Sequence, residues 1–199
     1  MPLENIFTIS TDEEFNAMAL KTFQVQYHEN LVYQEFCRHL GKNVSNVKTI
    51  EDIPFLPIEF FKSKKVICGS FTPQITFTSS GTTGSEVSKH HVKNLELYEN
   101  SYLTAFRHFY GDIEDYCVLA LLPSYLEREG SSLIYMANDL IHKSKHPDSG
   151  FYLDDLDRLQ KTLLELDARN TKILLLGVSF ALLDMVEKFP LKLKNTVVM

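Results

Sequence analysis

Cys117-Val118-Leu119-Ala120-Leu121-Leu122 is apolar at every position, and Ile173-Leu174-Leu175-Leu176 repeats the pattern further on. A strand that reads apolar on both faces is covered on both faces, which is the condition of an interior strand in a parallel sheet. Working outward, strand candidates fall at Lys65–Cys68, Gln74–Thr78, Tyr116–Leu122, Lys172–Leu176 and Thr196–Met199. Helix candidates fall between them at Asn94–Phe109, Ser131–His142, Leu153–Leu166 and Val178–Lys188. Strands alternating with helices predict an α/β fold, a mostly parallel, doubly wound sheet covered by helices.

The segment ahead of this pattern reads differently. Over residues 11–40, Phe15, Met18, Leu20 and Phe23 recur at helical spacing, and a second helical run, Leu31 to Leu40, stops at Gly41. Thr11 with Glu14 three places on has the form of a capping box. Ile53-Pro54-Phe55-Leu56-Pro57-Ile58 excludes a helix interior, because proline lacks the N–H and restricts its predecessor. It reads as a connector laid on the core by Phe55, Phe60 and Phe61, with a short helical turn at Glu59–Lys62. The expected organisation is residues 1–65 as N-terminal helices and Pro-rich connector, then 66–199 as an α/β subdomain, in one continuous domain.

Composition narrows the function. The chain has 199 residues, 44% hydrophobic, which is enough for a sizeable core. A net charge of −6 argues against nucleic acid as partner, which needs a basic face. Lys62-Ser63-Lys64-Lys65 is a short basic run of the kind found on solvated turns. No apolar run approaches the roughly 20 residues of a membrane span. Cys37, Cys68 and Cys117 fit no metal or redox spacing, and an odd count without a secretion signal predicts reduced thiols in a cytoplasm. Each has apolar or aromatic neighbours, so burial is the expectation for all three.

The chemistry concentrates in Thr76-Phe77-Thr78-Ser79-Ser80-Gly81-Thr82-Thr83-Gly84-Ser85. Hydroxyls and free backbone N–H groups are what a loop needs to wrap a polyphosphate, and glycine lets the backbone approach it. The spacing is not Walker A, since Gly81 and Gly84 are two residues apart and Ser85-Glu86 stands where Lys-Ser/Thr should. A third glycine at dinucleotide spacing is missing too. Ser88–Val92 alternates, so the loop is expected to join two strands of a hairpin and not to open a helix.

Ser80-Gly81-Thr82-Thr83-Gly84 resembles the phosphate loop of the adenylate-forming superfamily, the acyl-CoA synthetases and their relatives. The family's Pro-Lys tail is absent, and the first lysine is Lys89. The Phe55–Lys62 stretch ahead of the loop makes the chain most similar to LuxE-like acyl-protein synthetases and phenylacetate–CoA ligases, over residues 50–199. The resemblance implies an incomplete adenylate-forming N-terminal domain. It implies an ATP-dependent ligase, with Mg²⁺, that joins a carboxylic (fatty) acid to AMP and passes the acyl group to a thiol. That thiol is an enzyme cysteine in LuxE-like enzymes and coenzyme A in the ligases.

The cofactor-binding residues implied are Ser79, Ser80, Gly81, Thr82, Thr83, Gly84 and Lys89. The Pro123–Ser132 loop and the Leu174–Leu183 turn resemble the superfamily's acyl-pocket segments, which nominates Tyr125, Gly177, Val178 and Ser179. No catalytic residue is nominated. An acyl-reductase or acyl-carrier partner is implied, and a homo-oligomer is expected from an unpaired sheet edge. Two other readings stay open, a non-catalytic nucleotide- or phosphate-binding module and an α/β interaction domain. Outside the loop, Ser131 and Ser132 read as helix caps, and His90 and His91 as polar turn residues. His142 and His146 have metal-pair spacing but no third ligand, and Pro147 ends any helix there.

Overall fold

The computed structural model describes residues 6–79, 86–123, 130–153 and 155–199. The chain forms two compact units, Met1–Leu97 and Tyr98–Met199.

In the first unit, α1 (Asp12–Glu29) opens with the predicted capping box. The Glu14 amide donates to Thr11 Oγ1 at 3.2 Å, and the Thr11 amide donates back to Glu14 Oε2 at 3.2 Å. Asn30 ends α1 and caps α2 (Leu31–His39), its buried side chain accepting from the Tyr33 amide at 3.1 Å. Gly41 then takes φ +66°, and the Lys42 amide returns to the Cys37 carbonyl at 2.9 Å. That is the left-handed closure for which a glycine is suited. Phe23, Tyr33, Cys37 and Val47 form the core between these helices, with Leu56 packed on it.

The connector is held by backbone and not by the side chain expected to do so. Tyr33 donates its hydroxyl to the Pro54 carbonyl at 2.7 Å, and Phe55, next in line, is 81% exposed. Phe60, the first residue of α3 (Phe60–Ser63), stacks edgewise on Phe36. Lys65–Cys68 is not a strand. The Cys68 thiol donates to Gln26 Oε1 at 3.0 Å and the Gly69 amide to the Glu29 carbonyl at 2.8 Å, so this segment is tied to α1 instead of a ladder. Beyond it, β1 (Ile75–Thr78) and β2 (Lys89–Val92) pair antiparallel, which is the predicted hairpin. Its apolar face is set by Phe77 and Val92, both buried.

In the second unit, β3 (Tyr116–Leu121), β4 (Gly150–Phe151), β5 (Lys172–Gly177) and β6 (Thr196–Val198) form a parallel sheet in the order β4-β3-β5-β6. The helices are α4 (Leu95–Tyr110, which begins just before the unit boundary), α5 (Ser132–Ser144), α6 (Leu156–Ala168) and α7 (Ser179–Lys188). The double-sided runs are explained by two cores. Cys117, Leu119 and Leu121, with Ile173 and Leu175, pack on α6 and α7 through Leu159, Leu163, Ala181 and Met185. Val118, Ala120 and Leu122, with Leu174 and Leu176, pack on α4 and α5 through Phe106, Ala137 and Leu140. Each fully buried leucine contributes about 1.5–3 kcal/mol. The fold is therefore α/β, with a helical N-terminal segment, a small antiparallel sheet and a larger parallel one.

Two boundaries move from their expected places. α6 starts at Leu156 and not Leu153, because Leu153 has φ +49° and Asp155 supplies the cap, accepting from the Arg158 amide at 3.1 Å. The two-residue β4 is too short to leave a sequence pattern. It is held beside β3 by Ser149, whose Oγ accepts from the Val118 amide at 2.8 Å.

Candidate functional site

The hydroxyl-rich segment lies between the two strands of the first unit's hairpin. The Ser79 amide donates to the Ser88 carbonyl at 3.1 Å, and the Ser88 amide donates to Ser79 Oγ at 3.0 Å. Ser79 thus serves as the clasp of the stem. Thr78 stands opposite Lys89, one step along the ladder, so the structure brings Ser79 and Lys89 to the same end of the hairpin. Ser80, Gly81, Thr82, Thr83 and Gly84 lie outside the described residues, as does Tyr125.

Strand alternation gives the hairpin a polar face. Thr76 and Thr78 on β1 oppose His91 and Lys89 on β2, and Thr76 Oγ1 is hydrogen-bonded to His91 Nδ1 at 2.9 Å. The His91 imidazole is held below its usual pKa by burial, then by the positive charges of Lys65, Lys89 and His90. α3, which carries part of the basic run, packs against β2. Lys62, Lys64, Lys65 and Lys89 make no ion pair among the described residues. Five lysines and two glutamates fall within residues 59–93 of a chain whose net charge is −6. Uncompensated positive charge beside hydroxyl donors fits a polyphosphate, and this cluster was legible in sequence only as separate turns.

The second unit carries the other nominated residues. β3 connects outward to β4 through α5 on one face, and β5 connects the other way to β6 through α7 on the opposite face. The carboxyl ends of the adjacent strands β3 and β5 are therefore a topological switch point, where open α/β sheets collect ligands. Leu121 pairs with Gly177 there. A Cβ on Gly177 would stand 2.7 Å from Leu182 Cγ and Cδ2, so the turn is packed to glycine's outline. Val178 reaches both cores, and Ser179 is exposed at the start of α7. The α7 N-terminus has no side-chain cap. The nominated Gly177, Val178 and Ser179 thus stand at the carboxyl end of β5, at this switch point, with Pro123 and Gly130 flanking the Tyr125 segment in sequence. Ser131 is a cap, as expected, accepting from the Ile134 amide at 3.4 Å.

Of the three thiols, Cys37 and Cys117 are buried and Cys68 is half-buried. Burial raises each above the ordinary thiol value, Cys117 to about 11. The thiolate is the reactive form, so none is poised as a nucleophile at neutral pH. His142 Nδ1 is hydrogen-bonded to the Asn138 carbonyl at 2.7 Å, and His146 Nδ1 accepts from the Asp148 amide at 3.2 Å. Among the described residues, no three His, Cys, Asp or Glu side chains converge on a metal-sized site, and no helix is long and apolar enough to cross a membrane.

Comparison with known proteins places the hairpin in a family. The family described as acyl-protein synthetase, LuxE, matches residues 4–117, more than half of the chain. The chain belongs to the LuxE acyl-protein synthetase family. It is similar to the long-chain-fatty-acid–luciferin-component ligase of Vibrio harveyi, 38% identical over 63 residues, which covers 31% of this chain and 16% of that protein. No solved structure matches. The family match takes in the hairpin and Lys89 and ends in β3, so the Gly177 turn rests on topology alone.

Proposed function

We propose that this chain is the nucleotide-binding part of an ATP-dependent acyl-activating ligase, which forms an acyl-adenylate from a fatty acid for transfer to a thiol. The observation that carries the reading is the hairpin clasped at Ser79 and Ser88, with its hydroxyl face and with Lys89, which makes no ion pair among the described residues, in a LuxE-family chain. A carboxylate is a poor electrophile, and ATP supplies it with a good leaving group. The chain's residues contribute positioning and charge, the terms that dominate phosphoryl chemistry. Thr78 and Lys89 stand at the loop end of the stem, where they would hold phosphate oxygens. Nucleotide-borne Mg²⁺ takes phosphate and water ligands, so it asks for no dedicated cage of side chains.

The switch-point turn at Gly177–Ser179 is the counterpart for the acyl chain, with Tyr125 as a further wall. The acceptor thiol is one other than Cys37, Cys68 and Cys117, which burial keeps protonated. An acyl-reductase or acyl-carrier protein would take the activated group onward. Three free cysteines fit a cytoplasmic setting.

The test is carboxylate-dependent ATP–pyrophosphate exchange on the gene product that carries this chain, with a panel of fatty and aryl acids. Exchange with fatty acids is expected. Binding of ATP without exchange for any acid would leave a binding module and overturn the ligase reading.

A further inference from the structure

The hydroxyl loop carries no fixed positive charge, and Val87 stands where the resembled superfamily has its loop lysine. A polyphosphate of three or four negative charges needs cations from elsewhere. The hairpin's polar face presents them. Lys89 stands opposite Thr78 at the loop end of β2, and His91 stands opposite Thr76 two residues further along. Lys65 follows α3, which packs on β2, and its positive charge is among those that disfavour the His91 imidazolium. Lys65 and Lys89 are exposed, and neither has a carboxylate partner among the described residues.

We infer that Lys65, Lys89 and the His91 imidazole form one polyanion subsite on this face, which takes the terminal phosphates of the nucleotide and then inorganic pyrophosphate. The inference rests on the nucleotide-loop reading and adds to it residues outside the loop.

Charge gives the subsite a proton-linked behaviour. Among the described residues the charged groups bearing on His91 are Lys65, Lys89 and His90, none of them a carboxylate, and the Thr76 hydroxyl is its hydrogen-bond partner. In the free protein burial and these cations disfavour the imidazolium. A pyrophosphate seated beside Lys65 and Lys89 reverses the local sign, so His91 takes a proton from solvent as the anion binds. Pyrophosphate affinity should therefore rise as pH falls through the His91 range. It should also fall steeply with salt, because the cations are exposed.

The experiment is titration with inorganic pyrophosphate and with ATP by calorimetry, alongside NMR of the histidine ring protons. Wild type is compared with Lys65→Ala, Lys65→Arg, Lys89→Ala and a Thr82→Ala/Thr83→Ala double variant. Lys65→Ala should weaken pyrophosphate by about fivefold, the upper range for one exposed ion pair. Lys65→Arg should restore most of it, and the His91 resonance should titrate at higher pH once pyrophosphate is present. If the threonine variant loses ATP while both lysine-to-alanine variants bind pyrophosphate as wild type does, the subsite is wrong and the loop reading stands. If the His91 titration is unmoved by saturating pyrophosphate, the subsite is likewise overturned. If wild type binds neither ligand, the loop reading and the subsite fall together.

Discussion

Ser79 and Ser88 hold each other by two hydrogen bonds, amide to carbonyl at 3.1 Å and amide to hydroxyl at 3.0 Å, at the point where β1 and β2 open toward the glycine-rich segment. Only the second bond uses a side chain. Ser79→Ala deletes it at an exposed site, so the stability loss should stay below about 1 kcal/mol. The loop end of the stem would then be closed by the Ser79–Ser88 backbone bond alone, beyond the β1–β2 ladder. The expected outcome is a melting temperature within about 4 °C of wild type and a several-fold weaker ATP affinity. Calorimetric binding and a thermal melt on the same sample check it.

Gly177 is limited by space and not by backbone strain. The nearest atoms to a Cβ there are Leu182 Cγ and Cδ2 at 2.7 Å, with Leu182 Cδ1 at 3.2 Å. Gly177→Ala should cost about 1–3 kcal/mol, the range for overpacking. Leu182→Ala added to it should be less damaging than the sum of the two single changes. A double-mutant cycle in denaturant reads that coupling directly. Additive costs would mean that Leu182 does not set the outline of the turn.

How much of this was legible in sequence follows from the range of the interactions involved. β3 and β5 were plain because an interior strand writes its burial on both faces of its own sequence. The hairpin was plain because Ser88–Val92 alternates. Val66-Ile67-Cys68 looked like a strand for the same local reason, but Cys68 and Gly69 are bonded to Gln26 and Glu29 some forty residues away. Phe55 looked like an anchor, yet its predecessor's carbonyl is the anchored group. Lys65 could not be joined to His91 from sequence, since it is the packing of α3 on β2 that brings the basic run to this strand. The hydroxyl-rich segment stands out by composition, and the switch point only once strand order is known.

Asp52 should govern acid stability in the first unit. It accepts from Lys42 Nζ at 3.0 Å and from the Lys48 and Thr49 amides at 3.2 and 3.3 Å. The Lys42 hydrogen bond leads these in lowering its pKa to about 2. A depressed carboxylate stabilises the fold above its unfolded pKa, about 3.9, and loses that effect as pH falls through the folded value. Asp52→Asn should therefore lower the melting temperature at neutral pH and flatten its decline between about pH 4 and 2. Equal declines in both proteins would rule Asp52 out as the acid-sensitive group.

The second unit should be sensitive to base, through the seam between α4 and α5. Tyr102 donates its hydroxyl to Asp139 Oδ2 at 2.5 Å, Tyr135 donates to Glu99 Oε1 at 2.5 Å, and Lys143 Nζ sits 2.6 Å from Asp139 Oδ1. Burial, then the Asp139 hydrogen bond, drives the Tyr102 pKa far above its usual range; the Glu99 hydrogen bond, then burial, takes Tyr135 to about 12. A group whose folded pKa is raised gives stability that is complete below its unfolded pKa, about 10 for tyrosine. That stability is lost as pH rises through the folded value. Stability should thus decline from about pH 10 upward. Tyr102→Phe, which removes a hydrogen bond to a charged acceptor, should cost about 1.5–3 kcal/mol near neutral pH and make the decline shallower. Denaturant melts at pH 7 and at about pH 10.5 separate the two effects. A slope identical to wild type would show that another tyrosine carries the alkaline transition.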